Sequence, residues 1–356
     1  MAQKLDDYRL LGRSGLRVSP LSLGTMTFRT GSDWGSSDED AQAIYDAYVE
    51  AGGNFVDTAN FYGQGGSEIL TGQLIKARRE QIVLSTKYSL TMRWGDPNGS
   101  GNQRKNMVRS VEASLKRLDT DYIDLLYLHV WDDRTPVEEI LRAFDDLVRS
   151  GKVAYIGISD SPAWQISRMQ AIAELRGWAP FVALQIPYNL TERTVERDLM
   201  PMAKEMGVGV LPWSPLAGGV LSGKYSREDL KAKAPDAIAG MNSRKDINIA
   251  TGRLTERTLE MAEVVKTVAA ELGRTPSQVA LAWTLLHPAV TSPLIGARTH
   301  AQLLDNLGAL EIEFGSDQVQ RLNAVSEIDM GFPHSMLNSG VTDQMFGGVR
   351  VEQRAR

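Results

Sequence analysis

Short runs of β-branched and leucine-rich residues recur along the chain, each followed by a longer stretch whose apolar positions fall three or four apart. The runs end near Gly24, Asp57, Lys87, His129, Ser159, Gln185, Trp213 and Ile295, and the first seven ends lie about thirty residues apart. One strand and one helix per step predicts a parallel sheet of the α/β class. Eight such units predict closure into a (β/α)8 TIM barrel rather than an open doubly wound sheet. Among the helical stretches, Ile140, Leu141, Phe144, Leu147 and Val148 form one stripe that Gly151 stops. Thr135-Pro136-Val137-Glu138 ahead of it reads as a capping box with proline at the first helical position.

Three segments break the rhythm. Residues 8–17, "YRLLGRSGLR", predict a β-hairpin turning at Ser14-Gly15 that plugs the bottom of the barrel. Residues 214–254 are rich in Gly, Lys, Asp and Ser, and a connection of that length predicts a loop covering a bound ligand. The tail, 329–356, carries Phe332, Met336, Met345 and Phe346 among glycines and polar residues, and reads as a cover or a disordered end. One domain, 1–356, is expected, since barrels of this class carry that length in one piece.

Composition narrows the chemistry. A net charge of −5 offers no basic field, so neither nucleic acid nor a membrane surface is an expected partner. The chain has no cysteine, which removes disulfides, thiolate catalysis and cysteine-ligated metal, and suits a cytoplasmic protein. No apolar run approaches the roughly 18 residues of a membrane span. Oligomeric state is not legible.

In a barrel of this kind the loops after the strands build the site. Asp57 ends the second expected strand, Lys87 the third and His129 the fourth, with Tyr62 five residues beyond Asp57. A phenol is a poor acid near neutrality, and a neighbouring ammonium lowers its pKa, so Lys87, held by Asp57, is expected to tune Tyr62 downward. His129 can hydrogen-bond a substrate oxygen. The set suits proton donation to an oxygen that becomes an alkoxide. His287, His300 and His334 are scattered, so no metal is expected. With neither metal nor nucleophile, a carbonyl must receive its electrons from a cofactor.

Two stretches read as cofactor cradles. In "WSPLAGGVLSGKY", residues 213–225, glycines let backbone amides approach phosphate and Lys224 adds charge. Gly218 to Lys224 also fits a triphosphate-loop spacing, but Tyr225 stands where that loop needs Ser or Thr. In "PLIGARTHAQLLDN", residues 293–306, Gly296 gives a turn, Arg298 can grip phosphate and Thr299 can cap the next helix. "GQGGSE" after Tyr62 reads as a turn into a helix capped by Ser67.

At these residues the chain resembles the aldo-keto reductases, from about Tyr8 to Glu327. The resemblance is carried by "VDTANFYGQGGSE", "LSTK", "MVRSVEASLKRLDTDYIDLLYLH" and "PLIGART". It implies a barrel that binds extended NADPH or NADP+, with NADH the lesser alternative, and hydride transfer to a small-molecule aldehyde or ketone. It implies Asp57, Tyr62, Lys87 and His129 as the catalytic tetrad. Gly24, Thr25 and Met26 at the first strand end, together with Asp57, are expected to border the cofactor. Ser159, Asp160 and Gln185 fall at the positions that hold the nicotinamide carboxamide, and Trp213 at the aromatic that stacks on the ring. Ser214, Leu216, Gly218 and Lys224 match the pyrophosphate loop, Gly296 and Arg298 the 2′-phosphate turn, and Gln302 and Asn306 the adenine surroundings. Asp160 departs from the usual asparagine and cannot donate a hydrogen bond, while Trp213 is larger than the usual Tyr or Phe. Trp34, Trp94 and Trp131 are expected to ring the substrate pocket. Trp164, Trp178 and Trp283 are expected to pack helices. Two further readings stand beside reduction: an NAD(P)-dependent alcohol or sugar dehydrogenase, and a nucleotide-sensing subunit similar to potassium-channel β subunits.

Overall fold

The structure, a computed structural model, describes residues 3–29, 35–232 and 243–349. Two short antiparallel strands come first, β1 (Arg9–Leu10) and β2 (Arg17–Val18). Eight parallel strands follow: β3 (Ser22–Gly24), β4 (Phe55–Asp57), β5 (Val83–Tyr88), β6 (Ile123–Leu128), β7 (Val153–Ser159), β8 (Phe181–Pro187), β9 (Gly209–Trp213) and β10 (Leu294–Ile295). They lie in sequence order around one sheet, with β10 pairing back onto β3. Val290 bridges Val210, and the Thr291 amide donates to the Val210 carbonyl at 2.8 Å, which brings the end of the sheet against β9. Helices connect the strands, as the alternation required for a (β/α)8 barrel.

The eight barrel strands are buried on both faces over most of their length, Ala154 on β7 being exposed, so the period of two is visible in chemistry rather than in exposure. On β5, Val83, Ser85 and Lys87 share one face, and Leu84, Thr86 and Tyr88 the other. Positions near the strand starts fill an apolar floor: Phe55, Val83, Leu125, Val182 and Leu211 pack with Leu11 and Val18 of the hairpin. The hairpin therefore does close the bottom, held there by the Arg13 amide on the Gly207 carbonyl at 2.7 Å. Above that floor the same strand faces turn polar, with Asp57, Ser85, Lys87 and Gln185 all at most 2% exposed. Gly157 on β7 makes room for this layering. A Cβ there would stand 2.5 Å from the Tyr127 ring, which fills the space between floor and polar layer.

Two expected caps are not formed. The helix Val137–Arg149 has Pro136 as its cap residue, outside the first turn, and no side chain caps it. Thr135 is instead drawn to Asp132, to which its amide and hydroxyl donate at 2.7 and 3.0 Å. Ser67 lies inside the helix Gly66–Ile75, which starts after Gly65, and its hydroxyl joins Thr25 and Thr58 at 2.9 Å each. The Thr299 cap does form on His300–Leu307. Among the described residues no helix is long and apolar enough to cross a membrane.

Candidate active site

Strand pairing sets the register of the mouth. Asp57 pairs with Gly24 on one side and Ser85 on the other, and Ser159 pairs with Gln185. Lys87 lies one inward position beyond Ser85, and His129 follows the last residue of β6. Tyr62 opens a short 3-10 turn in which Gly63 and Gln64 take left-handed backbone angles, folding the loop back over the strand ends.

The charged pair at the centre is closely held. Lys87 Nζ donates to Asp57 Oδ2 at 2.5 Å and to the Thr58 carbonyl at 2.8 Å. Asp57 Oδ1 accepts from Ser85 Oγ at 2.7 Å and from Gln185 Nε2 at 3.1 Å. Tyr62 is the other polar neighbour of the ammonium, with its ring centroid 4.9 Å from Nζ, and His129 meets the Tyr62 ring edge-on at 6.0 Å. All four expected residues are thus brought together.

Burial works against the Lys87 ammonium, yet Asp57 and Tyr62 outweigh it, and its pKa stands above the ordinary lysine value. Burial also pushes the Tyr62 phenol up, and the Lys87 charge opposes this without prevailing. The expected downward tuning is therefore not the net effect. The phenol keeps its proton through neutral pH, the form an acid needs. Burial, and then the Lys87 charge, bring His129 down to about 3, so the imidazole is neutral.

The expected cofactor residues fall into two groups. Some build the walls. Thr25 is fully buried and donates to the Asp57 carbonyl at 3.0 Å. Ser214 Oγ accepts from the Gly218 amide at 3.0 Å, Gln302 Oε1 from the Arg298 amide at 2.9 Å, and the Gly296 carbonyl from Asn306 Nδ2 at 3.2 Å. These residues shape the two cradles. Ser159 is buried at the strand end beside its partner Gln185, whose Nε2 donates to Asp57. Leu216 packs against the core. Others face outward: Met26 is 44% exposed, and Asp160 opens onto the rim, where its Oδ1 accepts from Trp213 Nε1 at 3.1 Å. Neighbouring walls still desolvate Asp160 enough to raise its carboxyl pKa, against the pull of that indole and of Lys87.

Two cations that the sequence reading did not single out join the cradles. Burial, then Arg298 and Arg244, lower the Lys224 pKa; burial, then Arg253, lower Arg244. The Arg253 guanidinium stands 5.6 Å from the Trp213 ring centroid. Positive charges gathered this closely, beside glycines with left-handed backbone at 218 and 219, fit the phosphates of a dinucleotide. Arg244 opens the short helix Arg244–Ala250 and Arg253 follows it after a turn, in a stretch too short for a periodic pattern to flag them. Ser85 was findable, since it sits two residues before Lys87 and so on the same strand face.

The tryptophans divide. Trp34 lies outside the described residues. Trp94 is 82% exposed, so it walls no enclosed pocket. Trp131 packs against the core and meets Trp164 edge-on at 5.9 Å, beside a cavity of about 310 Å³ that also touches Arg134, Glu138 and Arg168. Trp164 is 63% exposed and belongs to this rim, a correction to its expected packing role, whereas Trp283 is buried and Trp178 packs against the core. Among the described residues no group of three His, Cys, Asp or Glu could hold a metal.

A parallel barrel with a buried acid–amine pair beneath a phenol and an imidazole, and cationic loops beside them, defines the class as a (β/α)8 oxidoreductase. The chain belongs to the aldo/keto reductase family, whose model matches residues 20–327. It is 40% identical over 331 residues to a Bacillus subtilis (strain 168) protein named uncharacterized oxidoreductase YrpG, covering 90% of this chain and 95% of that one. It is 37% identical over 345 residues to a norsolorinic acid reductase of Aspergillus flavus, covering 93% and 84%. It is 35% identical over 355 residues to an aryl-alcohol dehydrogenase [NADP(+)] of Phanerodontia chrysosporium, covering 95% and 90%.

Proposed function

We propose that this chain catalyses the NADPH-dependent reduction of aldehydes or ketones to alcohols, with Tyr62 as general acid. The observation that carries the reading is the buried Lys87 ammonium, fixed by Asp57 and the Thr58 carbonyl directly beneath a protonated phenol. When bound, the nicotinamide supplies the hydride. Tyr62 then gives its proton to the carbonyl oxygen, and Lys87 stabilises the phenolate left behind. His129, neutral, has one ring N–H to offer the same oxygen. The Lys224, Arg244, Arg253 and Arg298 loops would hold the nucleotide phosphates. Arg298 in the 293–306 turn supports a preference for NADPH over NADH.

Trp131 and Trp164 support aromatic carbonyl substrates, as do the names of the norsolorinic acid and aryl-alcohol relatives. Oxidation of an aryl alcohol is the same step reversed. The test is to follow nicotinamide absorbance with each cofactor against a panel of aldehydes, ketones, quinones and sugars. NADPH oxidation, fastest with aromatic aldehydes or ketones, is expected. Turnover of sugars alone, or of none of the panel, contradicts the proposal.

A further inference from the structure

Asp160 is the second carboxylate at the mouth, and its position differs in kind from that of Asp57. The charge of Asp57 is balanced by Lys87 at 2.5 Å. Asp160 has no cation within ion-pair distance among the described residues; the neutral indole N–H of Trp213 donates to it at 3.1 Å, and the Ser159 side chain is a second neutral hydrogen-bond partner. Its charge bears on Tyr62, and that of Lys87 on Asp160, so the carboxylate faces the volume where the proton donor works. The residue is held there against its own backbone preference, with φ at 37°. The fold therefore keeps an unbalanced negative charge beside the indole at the end of β9.

We propose that Asp160 stabilises positive charge on the nicotinamide ring, so that the site binds the oxidised cofactor more tightly than the reduced one and makes bound NADPH a stronger hydride donor. This rests on the reading that the ring lies against Trp213. Reduction carries a hydride from the neutral dihydropyridine to the carbonyl carbon and a proton from Tyr62 to the oxygen, and the ring is left as a pyridinium cation. A carboxylate a few ångströms away lowers the energy of that cation and acts little on the neutral ring. Screened nearly as in water, as at an open rim, one such charge about 4 Å away changes an equilibrium by roughly five- to tenfold. The same preference makes NADP+ a strong product inhibitor, so turnover follows the NADPH to NADP+ ratio.

The variant that isolates the charge is Asp160→Asn. Asparagine accepts the left-handed backbone and can still accept the indole hydrogen bond; the amide donor it adds acts on both cofactor forms, so the ratio of the two affinities reads the charge. Titration calorimetry of NADP+ and NADPH on the wild type and Asp160→Asn measures the effect. The expected result is a ratio of NADP+ to NADPH affinity roughly five- to tenfold lower than in the wild type, so the preference collapses. An unchanged ratio of the two affinities in Asp160→Asn overturns the proposal. Wild-type protein that binds neither nucleotide would instead overturn the proposed function on which it rests.

Discussion

At the scale of single residues, electrostatics decides which form each group takes. His129 stays neutral because burial and the Lys87 charge hold its pKa at about 3, well below the ordinary histidine value near 6.5. In the unfolded chain the imidazole takes up a proton as pH falls through about 6.5, while the folded one does not until about 3. Stability should therefore decline with falling pH across that window, by at most about 1.4 kcal/mol per unit from this residue. Urea unfolding at pH 7 and pH 5 checks this: His129→Gln should lose less stability between the two than the wild type, and an equal loss would mean the folded imidazole protonates freely. The tetrad was legible in the sequence because strand-end positions are fixed by the spacing of the runs. The direction of the Tyr62 shift was not, because a neighbouring charge can be read from sequence and the depth of burial cannot. The Gln185 contact with Asp57 was not legible either, since the two lie 128 residues apart and only the closed sheet brings them near.

At the scale of elements, the outward face of β5 matters as much as the inward one. Thr86, between Ser85 and Lys87, donates to Glu68 Oε1 at 2.6 Å, and Arg117 Nε donates to Glu68 Oε2 at 2.6 Å. Glu68 is fully buried, so this acid fastens the helix Gly66–Ile75 and the helix Arg104–Leu118 to the strand that carries Lys87. Removing one partner of a buried pair leaves the other charge uncompensated, and Glu68→Ala should cost about 3 kcal/mol of stability. Chemical denaturation measures it; a loss below about 1 kcal/mol would show the pair to be dispensable. The "GGSE" glutamate belongs to a motif, and its contacts fasten two helices to the strand that carries Lys87. The helices were readable from their 3.6 period and the strands from short β-branched and leucine-rich runs. The caps were less so: Asp132, three residues before Thr135, offered its hydroxyl a nearer partner than the first turn of the helix did.

At the scale of the whole molecule, an acidic protein with net charge −5 gathers Lys224, Arg244, Arg253 and Arg298 on the loops beside its mouth. Such a local field draws a polyanionic nucleotide against the overall sign of the surface. Losing one charge-assisted phosphate contact typically costs about 1.5–3 kcal/mol, so Arg298→Ala should weaken NADPH by about tenfold or more and leave NADH within about twofold. Fluorescence titration with both nucleotides decides it, and equal losses would mean Arg298 does not read the 2′-phosphate. The barrel brings Asp57, Lys87 and His129 from the ends of β4, β5 and β6 beside Tyr62, and that convergence is the claim on which the functional reading stands. Its most direct test is Tyr62→Phe, assayed for carbonyl reduction and for NADPH binding in the same preparation. The account predicts a rate lower by about 10²–10⁴-fold with NADPH affinity essentially unchanged. Wild-type turnover in that variant would contradict it.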